Sequence, residues 1–250
     1  MIIREKKIYS GKMFEAELYP IYPSGKNIRA NKTKPSRNEQ KNLNDKNAKK
    51  KFIRKVNANF TESDLAVVLE YRPKDMPCCE EDASTDFYNY IKRIKTYRNK
   101  HELSKLKYMA VLETTVNKKT GLVSFHFHVI MLNMDRNTVE KLWTKADWTN
   151  CKRLQPNEFG LEALAKYMAK NPQGKKRWSQ SKNLIDPEKL AKIKDGKYTK
   201  SDMHKIATIR VNEPAYFERK YKGYQFLKCE PVWNEFNSNW YITITMRKKE

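Results

Sequence analysis

The sequence predicts an α+β fold: a central antiparallel sheet with helices packed on it. Three observations lead there. The run "LVSFHFHVIML" (122–132) follows "LKYMAVLETTV" (106–116) across the short loop "NKKTG", in which Gly121 serves the turn of a hairpin. "DLAVVLEYR" (64–72) is β-branched and aliphatic without Gly or Pro, as a central strand requires. Between these strands, "STDFYNYIKRIKTYRNKH" (84–101) sets Phe87, Tyr90, Ile91 and Ile94 at helical spacing, with Ser84 or Thr85 placed to cap it.

The remaining elements follow in chain order. Residues 1–60 carry sixteen Lys and Arg against five Asp and Glu, close to half of the whole chain's excess of +23. "KMFEAELYPIY" (12–22) could form one strand there, whereas 23–52 is almost devoid of large apolar residues and is expected to be a basic arm or loop. After the hairpin, "DRNTVEKLWTK" (135–145) is expected to be a helix and "CKRLQP" a short segment. "NEFGLEALAKYMAKNP" (157–172) is expected to be a helix with Leu161, Leu164, Ala165 and Met168 as its apolar stripe and Pro172 as its stop. Beyond it, "DPEKLAKIKDG" and "TKSDMHKIA" suggest two helices and "WYITITMRKK" a closing strand. This gives three expected regions: a basic N-terminal arm over 1–60, a core over 61–182 and a smaller α+β extension over 183–250.

Composition narrows the function classes. Fifty-two Lys and Arg face 29 Asp and Glu in 250 residues, an excess that repels itself unless a polyanion is the partner, and nucleic acid is the commonest. Fourteen Tyr, ten Phe and five Trp supply the large buried side chains that a disordered chain lacks. No apolar run is long enough to span a bilayer, so no membrane partner is expected. The opening "MIIREKKIYSGKMF" lacks a signal peptide's apolar centre, so a cytoplasmic protein is expected. The four cysteines form no CxxC pair, and a G-x-x-x-x-G-K-[ST] loop is absent, which argues against an ATP-driven motor.

The chemistry concentrates in the hairpin. Residues i and i+2 of a strand share a face, so His126 and His128 project together while Phe125, Phe127 and Val129 project to the other side. Two imidazoles about 6–7 Å apart along a strand can converge on one cation. A four-residue loop pairs 117 with 122, 115 with 124 and 113 with 126, which sets Glu113 across from His126; a shift of two residues would set it opposite His128. Two histidines and a carboxylate suit a divalent ion with open positions, and Glu70 in the neighbouring strand could add a second carboxylate. The plainer alternative is that both histidines are satisfied by hydrogen bonds or solvent.

On the later helix, Tyr167 and Lys170 stand at i and i+3 on one face. A tyrosine hydroxyl can act as a covalent nucleophile beside a metal and a cation, although an ordinary amphipathic helix would look the same. "KKRWSQSKNL" (175–184) combines cations with an aromatic ring, and Lys175, Lys176, Arg177, Trp178 and Lys182 are candidate contacts to unpaired nucleic acid. A solvated loop with a buried Trp is the alternative.

"FHFHVIML" followed some forty residues later by "LAKYMAK" resembles the HUH superfamily of single-strand endonucleases, specifically the rolling-circle replication initiators of plasmids and phages. "LAVVLEY" (65–71), "LWTKADW" and the stretch from Gly160 to Leu184 also resemble it, so the likeness covers about residues 60–182. It implies an RRM-like palm in which His126, His128 and a third ligand hold Mg²⁺ or Mn²⁺. Tyr167 would attack the scissile phosphate to leave a 5′-phosphotyrosine and a 3′-hydroxyl, and Lys170 would offset charge. The hairpin register independently offers Glu113 as the third ligand. The resemblance also implies single-stranded DNA at a replication origin as substrate, a host helicase and polymerase as partners, and the cytoplasm of a prokaryotic host; self-association is left open. Some relatives carry two tyrosines four apart, but here Ala163 and Asn171 occupy those positions, so single-tyrosine chemistry is expected. A relaxase or transposase of the same chemistry, or a non-enzymatic basic nucleic-acid-binding protein, are the alternatives.

Overall fold

Two five-stranded antiparallel sheets organise the chain, as seen in a computed structural model that describes residues 1–22, 38–116, 121, 123–170 and 176–249. In chain order the elements begin with β1 (Ile2–Ser10), β2 (Met13–Ile21), α1 (Asn38–Asn59), β3 (Leu65–Leu69), α2 (Glu80–Lys100), β4 (Tyr108–Val116) and β5 (Val123–Met131). They continue with α3 (Arg136–Lys141), β6 (Asn150–Arg153), α4 (Glu162–Met168), β7 (Ser179–Gln180) and β8 (Lys192–Asp195), and end with α5 (Lys200–Thr208), α6 (Pro214–Lys220), β9 (Tyr224–Asn234) and β10 (Asn239–Lys248). The fold is α+β, as predicted, with antiparallel pairing throughout the described ladders.

Two units share the chain: one comprises Met1–Ala58, Glu158–Gly160 and Asp186–Glu250, the other Asn59–Asn157 and Leu161–Ile185. In the second unit the sheet runs β6-β3-β5-β4-β7, so the histidine strand β5 is central. Phe125, Phe127 and Val129 are buried and pack against α2, whose Phe87, Tyr90, Ile91 and Ile94 form the facing stripe. The Phe87 and Phe127 rings stack at 4.6 Å between centroids. Truncating a buried Phe in such a place costs about 3–5 kcal/mol, so this face fixes the orientation of the other. Helix α2 has acidic residues at its start (Glu80, Glu81, Asp82) and basic ones at its end (Arg98, Lys100), which complements its dipole. It begins after Cys79, ahead of the expected cap at Ser84 or Thr85; Thr85 lies inside it and donates its hydroxyl to the Glu81 carbonyl. The acidic first turn explains the earlier start.

In the first unit the sheet runs β8-β1-β2-β10-β9. One face, with Phe14, Ala16, Leu18, Ile242, Ile244 and Met246, forms a core with Met203, Ile206 and Ala207 of α5 and Phe217 of α6. Thr199 and Asp202 close a capping box at the start of α5. The opposite face carries Glu15 and Glu17, and there α1 packs through charge: buried Arg54 donates to Glu15 at 2.6 Å, to Glu17 at 2.7 Å, and to Glu188. Phe52 and Val56, one helical turn apart and fully buried, are its apolar anchors.

The structure corrects several sequence expectations. The stretch expected as a basic arm over 1–60 holds two strands and a 22-residue helix, which join the stretch expected as a separate extension over 183–250 in one unit. The reason is that β2 pairs with β10, so the two ends of the chain build one sheet. "DPEKLAKIKDG" is not a helix: its end is strand β8, paired antiparallel to β1. Helix α4 spans only seven residues, because the backbone leaves the helix at Ala169. Residues 23–37 of the expected arm, the loop 117–120 with Leu122, and Asn171, Pro172 and Lys175 lie outside the described residues.

Candidate metal and nucleophile site

The β4–β5 ladder pairs Glu113 with His126, Thr115 with Ser124 and Val111 with His128, the first of the two registers considered above. Period-2 alternation sends Phe125 and Phe127 into the core and leaves His126, His128 and Glu113 on the other face. The Glu113 carboxylate then reaches both imidazoles through one oxygen. Oε2 lies 2.9 Å from Nε2 of His128 and 3.2 Å from Nε2 of His126, where it accepts from whichever ring nitrogen carries a proton. One carboxylate thus serves Glu113's direct partner and the histidine diagonal to it.

One ligand atom from each of Glu113, His126 and His128 can be chosen so that all lie within 4.8 Å of one another, a group able to hold a metal ion. Among the described residues no other group of three His, Cys, Asp or Glu gathers in this way. The donor set fits a divalent cation, with two neutral imidazole nitrogens and one anionic oxygen converging from one face. Burial holds the His128 imidazole below its ordinary pKa against the pull of the Glu113 hydrogen bond, and His126 adds to the lowering. A ring so biased stays neutral near pH 7, the form that can ligate.

Tyr167 comes to the same place from α4. Its ring meets the His128 ring edge-on, with centroids 5.1 Å apart, and it is 57% exposed, so the phenol is open to a substrate. Ala165 and Met168, buried, and Leu161, buried before the helix, form the stripe that fixes this helix, while Leu164 is half-buried. Lys170 is not on the helix. It lies two residues beyond the last helical residue, its backbone N–H donates to the Tyr167 carbonyl at 3.1 Å, and its side chain is exposed. Glu70 stands exposed just past the end of β3, outside the cluster, and its carbonyl accepts from the Trp143 indole.

Of the candidate nucleic-acid contacts, Lys176 and Lys182 are exposed on either side of β7, while Arg177 and Trp178 are half-buried. Trp178 donates to the Gln180 side chain at 2.9 Å. The sequence reading took the buried stripe of α2 and passed over the exposed Tyr88, Lys92 and Lys95, which recur on the other side of that helix at i, i+4 and i+7.

Fold and site together define an α+β protein whose central antiparallel strand presents a His-x-His pair, an arrangement consistent with an HUH endonuclease-like fold. Residues 64–172 match the family model for the Replication-associated protein ORF2. The match spans β3 to the turn after α4 and so includes Glu113, His126, His128, Tyr167 and Lys170, which supports a replication initiator. Comparisons with curated proteins and with solved structures give no match. Among the described residues, no helix is long and apolar enough to cross a membrane.

Proposed function

We propose that this chain nicks and rejoins a specific site in single-stranded or locally melted DNA to initiate rolling-circle replication. The observation that carries the reading is the convergence of Glu113, His126 and His128 on one patch of sheet with the Tyr167 ring against His128. Glu113, His126 and His128 would hold Mg²⁺ or Mn²⁺. When bound, the ion supplies Lewis-acid polarisation of the scissile phosphate. The Tyr167 oxygen attacks phosphorus, the P–O bond to the 3′ oxygen breaks, and that oxygen leaves as a 3′-hydroxyl after taking up a proton. The phosphate stays on Tyr167 as a 5′-phosphotyrosine. Lys170, exposed in the turn after α4, offsets phosphate charge from close to the nucleophile in sequence.

Rejoining reverses these steps, with a 3′-hydroxyl attacking the phosphotyrosine. With Ala163 four residues before Tyr167, the helix offers one nucleophile per chain, so a second subunit or a second tyrosine would complete termination. The net charge of +23 suits a polyanionic substrate, and the absence of a P-loop motif assigns strand separation to a host helicase and extension of the 3′-hydroxyl to a host polymerase. The test is cleavage of origin-containing DNA with Mg²⁺ or Mn²⁺: the native chain nicks, whereas Tyr167→Phe and the double variant His126→Ala/His128→Ala do not. Nicking that persists in Tyr167→Phe would sink the covalent mechanism.

A further inference from the structure

We infer that the groove between α2, β4 and β7 is a second contact for unpaired DNA, in which Tyr88 is the base-stacking platform and Lys92 and Lys95 hold phosphates. The inference rests on single-stranded DNA being the substrate but not on the chemistry at Tyr167. The groove has a volume of about 340 Å³ and is lined by Phe87, Tyr88, Lys92, Lys95, Tyr108 and Ser179 among others, with no carboxylate in its wall. Phe87 and Tyr108, in edge contact at 5.9 Å, belong to the packed interior. Tyr88 does not: it is 67% exposed, a large ring left in solvent on a helix whose other aromatic stripe is buried.

The cations beside it are free. Lys92 and Lys95 are exposed, and neither makes an ion pair among the described residues. They lie about 6 Å and 10.5 Å beyond Tyr88 along the helix axis, so ring and charges form one stripe. An aromatic face flanked by cations is what sequence-tolerant binding of a single strand uses: bases stack, phosphates pair. Strand β7 adds an independent reason. It contributes Ser179 to the groove and pairs with β4 at the sheet edge, so Lys176 and Lys182 bracket the same edge.

Tyr108 and Glu113 sit on opposite faces of β4 and five residues apart, about 17 Å along the strand. The groove therefore holds a different stretch of strand from the one cut, and a strand reaching both would pass the β7 edge.

Binding of the full chain to fluorescent (dT)20 and to an abasic strand of equal length tests this. We expect Tyr88→Ala to weaken (dT)20 binding roughly tenfold and to leave the weaker abasic binding unchanged, and Tyr88→Trp to keep the affinity. Lys92→Ala/Lys95→Ala should weaken both ligands and flatten the salt dependence by up to about two phosphate contacts. Undiminished (dT)20 binding by Tyr88→Ala, an equal loss on both ligands, or no binding of (dT)20 by the native chain would overturn the inference. A chain that binds through Tyr88 but never nicks upholds it and defeats the nicking reading. A chain that nicks and is indifferent to Tyr88 does the reverse.

Discussion

Glu113 is the residue on which the metal site turns, because one of its oxygens faces both imidazoles. Glu113→Gln keeps the shape and removes the negative charge, so Mn²⁺ binding followed by electron paramagnetic resonance should weaken at least tenfold while the thermal melt stays near native. His128→Ala removes a ligand outright and should cost more than about 100-fold, the upper end of what supporting residues alone contribute. Native affinity in both variants would show that the cluster is a hydrogen-bonded group and no more. These positions were legible because strand alternation and hairpin pairing are simple arithmetic: the register that sets Glu113 across from His126 is the one observed. Glu70 was misplaced because the same arithmetic cannot say where a strand stops, and β3 ends at Leu69.

Among the elements, α1 is held by charge, and its stability should depend on pH. Burial alone would push the Glu17 and Glu188 carboxyls up; their partners more than reverse it, Arg54 and Lys50 for Glu17 and Lys6 and Arg54 for Glu188, so both sit below the usual carboxylate range. Depressed carboxylates stabilise the fold above their unfolded value near 4.5 and lose that contribution as pH falls through their folded values. Arg54→Met leaves three carboxylates short of a partner. It should cost about 3 kcal/mol at pH 7, with the gap to the native chain narrowing in melts taken below pH 4.5. A gap independent of pH would mean that packing, not charge, sets the loss.

Gly11 offers a second test on the scale of elements. It turns β1 into β2 at φ +64°, and an added Cβ would lie 2.3 Å from the Asn57 carbonyl oxygen. Gly11→Ala should therefore lower stability by more than about 1 kcal/mol, read from chemical denaturation; a neutral result would show that the turn relaxes. Helix α1 escaped the sequence reading because Phe52 and Val56 are nearly its only large apolar residues, and its main buried contact is an ion cluster, which hydrophobic periodicity does not register. Strand β8 was read as a helix for the converse reason. Leu190 and Ile193 fall at helical spacing, yet they are 68% and 55% exposed at a sheet edge and define no buried face.

For the whole molecule, the division into units was the least legible feature. β1 and β2 find their sheet partner in β10, more than two hundred residues on, and no local pattern reports such a pairing. The second unit was readable because β3, α2, β4 and β5 are consecutive and mostly pair locally. The family match covers the same region, 64–172. An excess of +23 predicts that affinity for single-stranded DNA falls steeply with salt, with a log–log slope of about −0.7 per phosphate contacted. A flat salt dependence would remove DNA as the partner that the charge requires.

The central claim is that Tyr167 becomes covalently joined to DNA. Mass spectrometry of peptides recovered after the full chain has reacted with origin DNA and Mg²⁺ or Mn²⁺ tests it most directly. A 5′-phosphotyrosyl nucleotide on the peptide containing Tyr167, absent in Tyr167→Phe, is the predicted result; nicked DNA with no adduct on that peptide would contradict it.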